Sequence, residues 1–163
     1  MCGIVGIVSK KDCIKDIVSG LRSLEYRGYD SSGVVAIQNN KFQYSKNIGK
    51  VSKLVKSIKK KKFKGNLVIA HTRWATHGKP SIINSHPFVK DNCALVHNGI
   101  IENYIELMKY FSIKKENIRS DTDSEVIAEV FNKLMNNSDN PIDVIKKINK
   151  KIIGSFSFAF LVL

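Results

Sequence analysis

Apolar residues run almost unbroken from Cys2 to Val8, a density that predicts a strand buried on both faces. Ile14, Ile17, Val18, Leu21 and Leu24 then recur at helical spacing, with Asp12 placed to cap the start of that helix. Glu25 to Ser32 is rich in turn-forming residues. Gly33–Ile37 and Phe42–Ser45 read as a hairpin around Asn39-Asn40. A basic amphipathic helix is expected from about Lys50 to Ile58. Asn66–His71 and Cys93–His97 read as short strands, each ending in a histidine and followed at once by polar, glycine-containing sequence. Glu102–Tyr110 and Ser124–Met135 carry helical periodicity, the second with Val126, Ile127, Val130, Phe131 and Leu134 on one face. A last helix over Ile142–Asn149 and a strand over Ser155–Leu163 complete the chain. Strands and helices alternate only loosely, which predicts sheet with helices packed outside it rather than a regular βαβ wind.

Composition narrows the class. The 163 residues are enough for one domain with a proper core, and 43% hydrophobic with 25% charged residues is ordinary for a globular protein. Neither long apolar stretch can span a bilayer, and no charged and apolar leader pair suggests secretion. Three cysteines, Cys2, Cys13 and Cys93, have no CxxC spacing, so a reducing, cytoplasmic setting is expected rather than a disulfide framework. The chain closes inside the apolar run Phe160–Leu163, which reads as a domain cut before its end. The net charge of +13 draws heavily on Lys41–Lys64, with ten lysines and no acid. That tract, Lys59–Lys62 included, is either a solvated face or a nucleic-acid site. The lack of arginine and the single close aromatic, Phe63, favour the face.

Four places carry candidate chemistry. Cys2 is either a small buried hydrophobe or a nucleophile. If Met1 is removed, its thiol gains a free α-amine on the same residue as base. In His71–Gly78, Arg73 can grip a carboxylate in a bidentate pair while Trp74 closes over it, or the segment is an exposed loop with a salt-bridged arginine. His97-Asn98-Gly99 is an Asn-Gly turn or a pair of N–H donors aimed at one developing oxyanion. Ser120–Asp123 caps a helix or offers a carboxylate to an ammonium. His71, His77, His86 and His97 lack metal-ligand spacing, so no metal and no cofactor are expected.

Five motifs in order resemble the class II (N-terminal nucleophile) glutamine amidotransferases. They are Met1–Gly6, Leu24–Ser31, His71–Gly78, His97–Asn103 and Thr122–Glu125. Leu24–Ser31 with His71–Gly78 is similar to the sugar-aminating branch, in which sugar isomerase domains follow and fructose 6-phosphate receives the ammonia. The resemblance implies an α+β, four-layer αββα sandwich over residues 1–163, truncated at its C-terminus and without those further domains. It implies L-glutamine as substrate, Cys2 as nucleophile, and Asn98 and Gly99 as the oxyanion hole. Arg73 and Asp123 are implied to hold the α-carboxylate and α-ammonium, with Thr76 and His77 in the binding loop, Trp74 on a mobile lid, and Arg27 and Asp30 as supports. A homo-oligomeric full-length enzyme is implied too, with neither membrane nor nucleic acid as partner. The rivals are another N-terminal-nucleophile amide hydrolase, a phosphoribosyl-type amidotransferase, and a non-catalytic basic RNA-binding module.

Overall fold

A computed structural model describes residues 2–75, 78–138 and 140–163. The expected binding-loop residues Thr76 and His77, together with Met1 and Asp139, lie outside the described residues. Seven strands and five α-helices are formed among those described. In chain order they are β1 (Gly3–Val8), α1 (Ile14–Ser23), β2 (Ser31–Gln38), β3 (Lys41–Ile48), α2 (Val51–Lys60), β4 (Leu67–Arg73) and β5 (Phe88–Val89). They continue with β6 (Cys93–Ile101), α3 (Tyr104–Tyr110), α4 (Asp123–Met135), α5 (Pro141–Asn149) and β7 (Gly154–Val162). Every paired strand is antiparallel. One sheet has the order β1-β4-β2-β3 and the other β5-β6-β7.

Side-chain alternation along these strands separates three apolar layers. On β2 and β4, Val34, Ala36, Val68 and Ala70 face Ile17 and Leu21 of α1 and Leu54 and Ile58 of α2. The intervening Val35 and Ile69 face the other way, meeting Ala94 and Val96 of β6 and Leu161 of β7. Leu95 of β6 turns outward again to Leu107, Ile127, Phe131 and Ile148 of the second helical layer, where Phe131 stacks on Phe160 at 4.5 Å. Helices, sheet, sheet, helices: this is the four-layer αββα sandwich expected from the resemblance. A strand's period of two is what lets one strand feed two cores.

Several local expectations need correction. β1 is an edge strand, so its faces are only half-covered and Val8 is 82% exposed rather than buried on both sides. Asp12 does not cap α1; its carboxylate accepts the Gly65 N–H at 2.8 Å, tying the helix entrance to the approach of β4. Likewise Thr122, at the N-cap of α4, makes no side-chain capping bond. Asn98-Gly99 is no turn. β6 continues through both residues to Ile101, with Asn98 opposite Ser157 and Gly99 opposite Phe156 on β7. Gly99 has φ +127°, and a Cβ there would overlap Ser155 O, so only glycine fits. The expected hairpin does form, with Asn39 and Asn40 both at positive φ.

Candidate active site

The site lies where the ends of β1, β4 and β6 meet the start of α4. Gly3 pairs with Thr72, so Cys2 emerges beside Arg73 at the end of β4. The Trp74 backbone N–H donates to Cys2 Sγ at 3.3 Å. Two groups donate to the Cys2 carbonyl, Asn98 Nδ2 at 3.1 Å and Arg27 Nε at 3.4 Å. The thiol and the backbone that carries it are therefore held from three directions. Cys2 is partly exposed, whereas Cys13 and Cys93 are buried. Burial raises the Cys13 thiol and pushes Cys93 up to about 12, so neither competes as a thiolate.

Arg73 and Asp123 line the same cavity as Cys2, Trp74 and Gly99. Arg73 is 4% exposed, and burial lowers its pKa from the ordinary arginine value while Cys2, Asp30 and Asp123 act in the opposite direction. Asp123, the first residue of α4, is fixed by the Ile101 N–H at 2.7 Å and by the Ser124 hydroxyl at 3.3 Å. One fixed cation and one fixed carboxylate thus face a common space, complementary to a zwitterion. Asp30 supports the segment after β4. Its carboxylate accepts from Ala75 N at 2.6 Å, and its own N–H donates to Arg73 O at 3.0 Å. Gly28 completes that support, because a Cβ there would come within 2.6 Å of the Arg73 carbonyl carbon.

Trp74 is 45% exposed and meets Tyr29 edge-on at 5.7 Å between ring centres. Asn98 is half-buried, and its amide spans from the Cys2 carbonyl to His71 Nε2, 2.9 Å from Oδ1. Gly99 lies at the cavity wall.

The sequence assigned no role to two features that build this site. His71, His86 and His97 pack together behind it, with 4.1 Å between the His71 and His86 ring centres. Burial lowers His71 to about 3 and His97 to about 4, the latter against a raising influence from Asp123, and holds His86 well below its usual range. All three are neutral at physiological pH. Glu125 is the second feature. Burial pushes its carboxyl up, but bonds from Ser120 and the Lys90 ammonium at 3.1 Å outweigh that and hold it below the ordinary value. It accepts the Arg119 and Ser120 N–H groups, fixing the loop that leads into Asp123. The strand-end histidines were visible as a pattern; the partners of Glu125 were not. Among the described residues no three His, Cys, Asp or Glu side chains are arranged to hold a metal ion. No helix of the described residues is long and apolar enough to cross a membrane.

Facing antiparallel sheets between helical layers, with a cysteine beside the first strand at the cleft, define an amidotransferase-type αββα sandwich. A family model described as the glutamine amidotransferase domain matches residues 71–162, and the chain belongs to that family. It is 47% identical over 161 residues to the glutamine–fructose-6-phosphate aminotransferase (isomerizing) of Wigglesworthia glossinidia brevipalpis, covering 96% of this chain and 26% of that protein. The enzyme of the same name from Aquifex aeolicus is 46% identical over 165 residues, covering 99% of this chain and 27% of that protein. Among solved structures, the glutamine phosphoribosylpyrophosphate amidotransferase of B. subtilis superposes with a TM-score of 0.81 at 25% identity, covering 99% of this chain and 35% of that one. The chain spans about a quarter of the length of the curated relatives it matches.

Proposed function

We propose that residues 1–163 are the glutaminase part of a longer glutamine–fructose-6-phosphate aminotransferase. They hydrolyse L-glutamine to L-glutamate and ammonia, and the ammonia aminates fructose 6-phosphate on sugar isomerase domains elsewhere in the polypeptide. The full-length enzyme is a cytoplasmic homo-oligomer in this reading. The observation that carries it is that Cys2, Arg73, Gly99 and Asp123 line a common cavity, a thiol facing a cation and a carboxylate.

Removal of Met1 frees the Cys2 α-amine, which takes the thiol proton as sulfur attacks the glutamine carboxamide carbon. The carbonyl oxygen becomes an oxyanion, stabilised by the Asn98 NH₂ and the Gly99 N–H. The C–N bond then breaks; the leaving nitrogen takes the proton from the α-ammonium and departs as ammonia, leaving a γ-glutamyl thioester. Water attacks that thioester, giving its proton to the amine, and glutamate leaves as the thiol is restored. Arg73 holds the α-carboxylate and Asp123 the α-ammonium, while Arg27 and Asp30 keep the nucleophile and the loop after β4 in register. Thr76 and His77 belong to the binding loop. The cavity is about 30 Å³, room for a water or two, so glutamine enters when the lid carrying Trp74 shifts.

The test is ammonia release from L-glutamine, L-asparagine and D-glutamine by protein whose mass shows that it begins at Cys2. Release from L-glutamine alone is the expected result. Preference for another amide moves the chain to a different amide hydrolase, and no release from any of them sinks the catalytic reading.

A further inference from the structure

His71 lies on β4 two residues beyond Ile69, on the face turned to the second sheet, and Asn98 lies on β6 two residues beyond Val96, on the face turned back. The two side chains meet across the gap between the sheets. His71 Nε2 is 2.9 Å from Asn98 Oδ1 and 3.0 Å from His97 O. At its other end, the Asn98 amide donates Nδ2 to Cys2 O at 3.1 Å.

The polarity of this chain of bonds has one solution. His97 O and Cys2 O are carbonyls and can only accept. Nε2 must therefore carry a hydrogen, and Asn98 must present Oδ1 to His71 and Nδ2 to Cys2. Were the amide reversed, two donors would meet at His71 and two acceptors at Cys2. Histidine suits the position because it is 1% exposed and stays neutral, so it donates from Nε2 without placing a charge beside Arg73.

We propose that His71 is a positioning residue for the reaction, holding the Asn98 amide with its NH₂ toward the carbon that Cys2 attacks. This rests on the glutaminase reading above. Without the Nε2–H only the bond to Cys2 O still orients the amide, and an amide that rotates sets Oδ1 against the oxyanion instead of a donor. His71 touches neither substrate nor sulfur in this role. Its effect belongs to the transition state, because the oxyanion exists only there.

The experiment compares His71→Leu, which keeps bulk without a donor, with His71→Gln, whose amide N–H replaces Nε2–H, in the intact protein. H71L is expected to lower kcat for glutamine hydrolysis by about 10- to 100-fold, a fraction of what losing an oxyanion donor outright costs, with KM within about threefold. H71Q is expected to recover most of that loss. In an Asn98→Ala background H71L is expected to add almost nothing, because its target is gone. Equal losses in H71L and H71Q, a change in KM alone, or full additivity with N98A would each overturn the proposal. If H71L does not fold, the ¹⁵N shifts of His71 in the unsubstituted protein decide: a neutral Nε2–H tautomer between pH 5 and 8 supports it, and an Nδ1–H tautomer overturns it. Failure of the underlying reading looks different, since unsubstituted protein beginning at Cys2 would then release no ammonia from glutamine.

Discussion

Two regions of this chain are dense in charge and hydrogen-bonding groups, and they are held in opposite ways. Along α2 and the residues after it, Lys59–Lys62 are all exposed, and their ammonium groups reach the rest of the described residues through a bond from Lys61 to Tyr44 O. At the cleft, Arg73, His71, His97 and Asp123 are buried, and each is bonded or oriented by a named neighbour. Taking a polar group out of water costs free energy unless partners replace the water, so buried and partnered polarity is retained by the fold for a purpose. The lysines cost nothing to leave in solvent and specify no geometry. Density of charge therefore says little about function, and the way each charge is held says much.

The largest test of that contrast is Cys2→Ala, which should reduce ammonia release by about 10⁴-fold or more, since both the nucleophile and the thioester are lost. Release that persists would place the chemistry elsewhere. Asn98→Ala should lower kcat by about 10²–10³-fold while glutamine binding stays measurable, and an unchanged kcat rules out the oxyanion role. Arg73→Ala should raise KM for glutamine by about 30-fold or more, the scale of losing one partner of a buried charge pair, with Arg27→Lys far milder. Equal effects of the two would refute the carboxylate role.

The buried histidines also set a dependence on pH. Their folded values, about 3 for His71 and about 4 for His97, lie below the ordinary 6.5. The unfolded chain therefore binds more protons than the folded one throughout that window. Stability is complete above pH 6.5 and falls as pH drops, by up to about 1.4 kcal/mol per pH unit for each histidine. Urea midpoints at pH 7.5 and 5.0 check this, and equal midpoints contradict it. The smallest effect belongs to the other region. Changing Lys59–Lys62 to Gln should leave ammonia release within about twofold, as expected of exposed charges. A salt-sensitive affinity for RNA that disappears in this variant would revive the nucleic-acid reading.

The same contrast explains what could be read from the sequence. Local periodicity located α1, α2, α4, α5 and the β2–β3 hairpin, because each buries one face through contacts near in sequence. It could not show that β6 runs on through Asn98-Gly99, since the partners are Ser157 and Phe156, far along the chain. Nor did it reveal that the two sheets face each other; the layered fold came from the ordered motifs. Arg73 stood out as part of a segment too polar and aromatic for a simple turn after a strand, and Asp123 as a carboxylate at a helix start. Of their supports, Arg27 and Asp30 were marked only by the ordered motifs, and the rest were not marked as supports at all. Gly28 is explained by the Arg73 backbone pressed against it, Asp12 by Gly65, and Glu125 by the Ser120 loop, all contacts invisible to a pattern of apolar positions.

The central claim is that Cys2, with its α-amine free, is the nucleophile for glutamine. Intact mass and peptide mapping after incubation with a glutamine analogue carrying an electrophilic carbon in place of the carboxamide test it most directly. The expected result is a chain lacking Met1 that gains one adduct, mapped to Cys2, with excess L-glutamine protecting it. An unmodified chain that begins at Cys2, or an adduct on Cys13 or Cys93 instead, would contradict the account.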